Sequence, residues 1–440
     1  MSSAAAQDSS SPVARSQLTL RQLLADRTFR LYLIGQATSG GGSALSSVAL
    51  LFAVMSISQS AASVGLVLLS ARLPAVALAL AGGVIADRWS RRSLAIGADA
   101  VRTATQAMTA ALLLSGDATV LALAALQVLT GGAGAVFSPA ANALLAGAAP
   151  GGQIRRATSL LGIVTAVLQT GGLALAGVLV ALAGPAISLL IDAGSFAVST
   201  ATLALMPRPR RAQVGPEPNP GPETLTTSRR SRRLAAGLLR DLRGGWLALR
   251  AQRWPLLCAL SETVVNVLVL SPFFVLGPII AKSRLGGAPA WSAIALGYVI
   301  GNLAAAGVTY RWAPRRPVLA AFAISAALAP LLVALAAAAP LWLVVPAATL
   351  AGAETTIYNT LITAALQANL EDQVLGRATA IIGLGSTTMV PLGMGLAGVA
   401  ADALGAPAVM LAAATVAALV PAICACQPAA RVTLKLDRHA

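Results

Sequence analysis

A chain of 440 residues that is 57% hydrophobic and only 10% charged, with mean hydropathy +0.78, has too little polar surface for a water-soluble globule; it reads as a polytopic α-helical membrane protein. The formal net charge of +16 would suit nucleic acid, but the basic residues are interleaved with membrane-length apolar runs, which topology explains better than phosphate contacts do. Cys258, Cys424 and Cys426 all lie in apolar runs without a ligand set for metal, so they read as packing residues and no cofactor is expected.

Residues 1–28 are polar and rich in Ser and Ala, with no apolar stretch ahead of a small-residue cleavage site. No removable signal peptide is expected, and the first span itself would target the chain. Apolar runs of about the 20 residues that cross a bilayer follow. They lie near 29–56, 62–86, 93–114, 119–147, 158–183 and 185–206, and then near 255–281, 290–311, 317–338, 341–366, 378–402 and 407–427.

The stretch from Pro207 to Arg230 breaks this pattern with prolines, glycines and polar residues and reads as a flexible linker. From Arg232 to Trp254, Leu234, Leu238, Leu242 and Leu249 recur at helical spacing among arginines. That pattern fits a helix lying on an anionic membrane surface, with a regulatory or partner-binding helix as the alternative.

If the spans alternate, nearly all basic residues fall on one side, including Arg15 to Arg30, Arg88 to Arg92, Arg155, Arg156, Arg311 to Arg316 and Arg377. The other side carries only Lys282 and Arg284. This asymmetry favours cytoplasmic termini and an even number of spans, with twelve as the best fit. Arginine supplies nearly all the cations, which with the abundant alanine points to a GC-rich bacterial genome.

The chain also repeats itself. Arg156-Ala157-Thr158-Ser159-Leu160-Leu161-Gly162 recurs as Arg377-Ala378-Thr379-Ala380-Ile381-Ile382-Gly383, and Leu175-Ala176-Gly177-Val178 as Leu396-Ala397-Gly398-Val399, both 221 residues apart. A shared offset over a loop end and its following helix argues for an internal duplication, with the fifth span matching the eleventh.

Between the second and third runs lies a charged knot, Gly82-Gly83-Val84-Ile85-Ala86-Asp87-Arg88-Trp89-Ser90-Arg91-Arg92. Gly82 and Gly83 permit close helix approach, Asp87 can accept from the free N–H groups of a facing helix N-terminus, and Arg88, Arg91 and Arg92 stay in the cytoplasm. The knot resembles the loop between helices two and three of the major facilitator superfamily, although a positive-inside anchor has the same composition. Phe29-Arg30-Leu31 with Gly35-Gln36, Arg72-Leu73-Pro74, Asp192-Ala193-Gly194-Ser195-Phe196 and Pro391-Leu392-Gly393 are similar in order and spacing to the bacterial drug-exporting branch that includes macrolide and siderophore exporters. The resemblance implies an all-α fold of twelve transmembrane helices in two six-helix parallel repeats. The bundles would span 29–206 and 255–427, joined by a cytoplasmic linker at 207–254 and flanked by cytoplasmic segments at 1–28 and 428–440. It also implies a monomer in the bacterial inner membrane.

Three departures bear on coupling. Ser43 stands where related exporters often have an aspartate, Gln127 lies where others carry an arginine, and Gly171-Gly172 replaces the Gly-Pro of the antiporter motif.

Ionisable groups inside hydrocarbon are costly and mark function. The resemblance places spans one, four, seven and ten around the central cavity, which makes Glu354 and Glu262 the proton-coupling candidates. Glu354 lies about midway along its span, where desolvation favours a protonated carboxyl. Asp99 and Arg102, three residues apart, can pair with each other or with Arg72, and with Asp192 they read as a structural charge cluster before a coupling one. Gly83, Asp87, Arg88, Arg91 and Arg92 form the expected cytoplasmic gate. Gln36, Ser39 and Gln127, with Asn266, Tyr358 and Asn359, can face a solute or satisfy interhelical hydrogen bonds. Gly131-Gly132-Ala133-Gly134 lacks the Lys-Ser/Thr ending of a phosphate loop and reads as a close-packing surface.

The expectation is therefore a secondary transporter, not an enzyme. It would export hydrophobic or amphiphilic drug-like molecules by proton antiport with alternating access. Its partners would be the small-molecule substrate, protons and membrane lipids, with no nucleic acid. An importer or uniporter on the same fold, and a non-transporting sensor or scaffold, stand as alternatives.

Overall fold

The computed structural model describes residues 20–81, 90–149, 153–207, 253–312, 314–370 and 372–433, and among these there is no strand. A short helix α1 (Leu20–Ala25) leads to α2 (Arg27–Ile57), which starts where Asp26 Oδ1 accepts from the Phe29 N–H at 2.8 Å. That bond satisfies one of the unpaired donors every helix start leaves. The first half continues with α3 (Ala61–Ala81), α4 (Arg91–Ser115), α5 (Val120–Ala148) and α6 (Ile154–Leu205). The second half holds α7 (Arg253–Leu285), α8 (Ala288–Arg311), α9 (Pro317–Ala336), α10 (Leu341–Asn369), α11 (Asp372–Leu404) and α12 (Ala406–Cys426).

Among the described residues, nine of these helices are long and apolar enough to cross a membrane. Three differences separate that number from the twelve apolar runs of the sequence. For the run at 378–402, the apolar helix among the described residues is only Thr388–Leu404 of α11, which is short of a span. The runs at 158–183 and 185–206 form one 52-residue helix, α6, broken only where Gly184 takes φ 81°, ψ 167° ahead of Pro185. Only glycine adopts that backbone without strain, and the following proline cannot continue the hydrogen-bond ladder. The run at 93–114 forms α4, in which Arg91, Arg92, Asp99 and Arg102 dilute the apolar surface.

Small residues set the packing within each half. α2 lies along α6, α4 packs on α5 and α6, and α3 on α5. In the second half α8 pairs with α10 and α9 with α12. At Gly131 a Cβ would run into the Ala71 carbonyl, and at Gly352 into the Tyr298 carbonyl. In lipid, where helices gain little from hydrophobic burial, such close backbone approach is the main source of association. The glycine-rich stretch around Gly131 thus does pack helices closely, α5 on α3.

The halves meet through α3 against α11 and α6 against α8. Among the described residues, the hydrogen bonds between the halves gather at one end of the bundle. There Asp402 of α11 accepts from Ser60 Oγ at 2.5 Å and from the Ala61 and Ala62 N–H groups at 2.7 and 3.1 Å, capping α3 from across the interface. Lys282 Nζ donates to the Met55 carbonyl at 2.5 Å beside it, and Gly398 lets α11 approach the backbone of Ala61 and Ala62. This end is closed.

α7 is irregular. It passes through π-turns at Asn266–Leu270 and Ala281–Leu285, and Ser271 Oγ donates to the Asn266 carbonyl at 2.8 Å across the first.

Candidate functional site

Between the halves lies a cavity of about 970 Å³, walled by α2 and α3 on one side and by α7, α8, α10 and α11 on the other. Its wall is mainly apolar, with Leu51, Leu68, Phe273, Phe274 and Trp291 among its residues. Phe273 is the centre of an aromatic group, with ring centroids 4.9 Å from Phe274, 5.3 Å from Trp291 and 5.8 Å from Tyr298.

Both coupling candidates line this cavity. Glu354 is 4% exposed, and Ser325 Oγ of α9 lies 3.0 Å from its Oε1 and Thr355 Oγ1 3.2 Å from its Oε2. Each hydroxyl has one proton and two acceptors within reach, because Ser325 Oγ is also 3.1 Å from the Ala321 carbonyl and Thr355 Oγ1 3.1 Å from the Ala351 carbonyl. The network therefore serves two protonation states. The hydroxyls donate to a carboxylate, or they return to their helix carbonyls while a protonated Glu354 donates to Ser325. Tyr298 OH, 2.9 Å from Thr355 Oγ1, extends the network onto α8.

Glu262 and Asn266 sit four residues apart on α7, and Glu354 and Tyr358 four apart on α10, so each acid shares a helix face with a polar neighbour. The π-turn begins at Asn266, a placement common near functional residues. Asn359 also lines the cavity.

The other solute-contact candidates lie elsewhere. Gln127 is buried and its Nε2 lies 3.5 Å from Gln106 Oε1, while Gln106 Nε2 donates to Asp192 Oδ2 at 2.7 Å. Ser39 is buried and lies 3.3 Å from the Gln36 carbonyl, and neither Ser39 nor Gln36 is on the cavity wall.

The charge cluster assembles without one expected member. Arg102 pairs with Asp99 at 3.1 Å, stacks 3.7 Å above the Phe196 ring, and has Asp192 for a neighbour. Asp99 and Asp192 are both fully buried. Arg72 makes no ion pair among the described residues; it is exposed on the cavity wall instead.

Of the gate residues, Gly83, Asp87 and Arg88 lie outside the described residues, as does most of the linker. Arg91 is exposed at the start of α4, and Arg92 donates to the carbonyls of Leu203 and Ala204 at 3.0 and 2.6 Å, fastening α4 to the end of α6.

Sequence reasoning did not single out Ser325, Thr355, Tyr298 or Asp402. The signal for Asp402 was present, an acid closing an apolar run beside a turn. The three hydroxyls had none, since such residues are common in spans.

The model of a family described as transmembrane secretion effector matches residues 22–434. No curated protein sequence matches the chain. Among solved structures, a bacterial homologue of the iron transporter ferroportin in an inward-facing state is 15% identical, with TM-score 0.68 over 93% of this chain and 100% of that one. The nucleoside transporter NupG is 14% identical, with TM-score 0.66 over 90% and 97%. An auto-inhibited POT family peptide transporter is 14% identical, with TM-score 0.65 over 94% and 98%. These likenesses are of fold, a multi-span helical transporter fold. With a match over nearly its whole length, the chain belongs to the transmembrane secretion effector family of the major facilitator superfamily.

Proposed function

We propose that the chain is a secondary active exporter of hydrophobic or amphiphilic, drug-like small molecules, working by alternating access and exchanging substrate for protons at Glu354. The observation that carries this reading is one carboxyl, 4% exposed and without an ion pair among the described residues, in the wall of a mainly apolar cavity between two helix bundles. A charged acid at such depth costs about 2.5–3.5 kcal/mol or more, so its retention argues for a role. The two-state hydroxyl network around it supplies a route for gaining and losing a proton without leaving donors unmet. Outward direction is supported by the family description and by the motifs similar to drug exporters.

The full topology in this reading is twelve spans in two six-helix parallel repeats, in a bacterial inner membrane with both termini in the cytoplasm. It is supported by the break at Gly184, by the 221-residue offset, and by Gly131 and Gly352, which stand at that same offset and each meet a partner-helix carbonyl. The closed end carries the sparsely charged turns and is then the outer one, so the cavity faces the cytoplasm.

The test is export of rhodamine 6G from proteoliposomes with and without an imposed pH gradient. The parent and Glu262→Gln should concentrate the dye against its gradient, and Glu354→Gln should only equilibrate it. Failure of Glu262→Gln with success of Glu354→Gln moves coupling to α7, success of both removes coupling from either acid, and no export by the parent overturns the exporter reading.

A further inference from the structure

Charge on the cavity wall is divided by half. The first half contributes a single charged side chain among the described residues, Arg72 in the middle of α3, and the second contributes Glu262 and Glu354. The remaining titratable groups on the wall are the phenols of Tyr298 and Tyr358. The apolar aromatic group around Phe273 belongs to the same cavity.

Neutral polar groups sharpen this division. Asn266 Nδ2 donates to the Glu262 carbonyl at 2.9 Å and Asn359 Nδ2 to the Thr355 carbonyl at 2.8 Å. With one N–H of each engaged on its own helix, both amides keep an oxygen acceptor for an ammonium group among the residues of the cavity wall. Tyr358 OH is buried without a hydrogen-bond partner among the described residues, an unmet donor on the cavity wall. A buried donor left unmet costs free energy that a bound acceptor recovers. Arg72, exposed on the wall and without an ion pair among the described residues, presents a fork suited to a carboxylate or phosphate.

We propose, resting on the exporter reading above, that the substrate is a zwitterionic amphiphile whose anionic group pairs with Arg72, whose cationic group faces Glu354, and whose apolar body lies on the Phe273 aromatic group. A purely cationic molecule leaves Arg72 unpaired, and a purely anionic one sets a second negative charge before the acids. A cavity near 970 Å³ takes a body of drug-like size.

Leucyl-phenylalanine, its N-acetyl derivative and its C-terminal amide share one apolar body and carry both charges, the anion alone and the cation alone. Their binding to the full chain in lipid nanodiscs is measured by calorimetry. The free dipeptide should bind about tenfold or more tightly than either derivative, as expected for one charge-assisted pair at each end. Arg72→Gln should bring the dipeptide down to the level of its amide, Arg72→Lys should keep part of the preference, and Glu354→Gln should bring the dipeptide down to the level of the N-acetyl form. No binding of the dipeptide to the parent, an amide that binds as tightly, or a preference that survives Arg72→Gln overturns the proposal. If rhodamine 6G export persists when the same protein is placed in proteoliposomes, the substrate class alone falls; if export is lost too, the exporter reading falls with it.

Discussion

Asp402 holds the closed end with one side chain, so its removal should shift the balance between the two faces of the cavity. Its carboxylate takes the Ser60 hydroxyl and two free N–H groups at the start of α3, the work of a helix cap supplied from the opposite half. Loss of a cap costs about 0.5–2 kcal/mol, and the lower part of that range, about 0.5–1 kcal/mol, applies to an exposed site such as this. At 1.4 kcal/mol per decade, Asp402→Ala should favour opening of this end by about 2- to 5-fold. The Lys282–Met55 bond and the Gly398 contact remain, so the end should loosen and not fall apart. Spin labels at Asp117 and Ala337, exposed turns of opposite halves at this end, report the change as a distance distribution once Cys258, Cys424 and Cys426 are replaced. A longer-distance population should grow in Asp402→Ala and, less so, in Asp402→Asn, whose amide oxygen still accepts. Identical distributions in the parent and both variants would refute the latch.

Gly352→Val should destabilise the protein by about 1–3 kcal/mol, the usual cost of overpacking, because the Tyr298 backbone cannot yield to a side chain; a lower melting temperature in detergent checks it. Arg102→Ala leaves Asp99 buried without its cation, a loss of about 3–5 kcal/mol, whereas Asp99→Asn keeps the shape and should melt closer to the parent. If Arg102→Ala melts like the parent, the cluster is not structural. Asp87→Asn, at a residue outside the described ones, should express normally and slow efflux, and normal efflux at matched protein level sinks its gating role.

Depth and charge were legible in the sequence, and facing was not. Glu262 and Glu354 stood out because an acid inside an apolar run is rare, and both line the cavity. Gln127 stood out equally, but α5 is apolar all round, so no polar stripe revealed that its side chain faces Gln106 and the neighbourhood of Asp192. Arg72 could be grouped with the nearest acids in the sequence or left free, and only the packing of α3 against α5 and α11 sets it on the cavity wall. The end positions of most helices follow the apolar runs closely. The merger of two runs into α6 does not, since the sequence separates the runs at Gly184 while the helix resumes at once on its far side.

The π-turn at Asn266–Leu270 gives α7 two angular phases. An α-helix turns about 100° per residue, so the one residue that a π-turn adds offsets everything before it from everything after it by that angle. Deleting a single residue within 266–270 would let the helix run straight. Phe273 could keep its place beside Trp291 and Tyr298, while Glu262 would swing about a quarter turn off the cavity wall. The acid and the aromatic group on α7 can thus be re-aimed independently by changing the length of the chain between them, without altering any side chain.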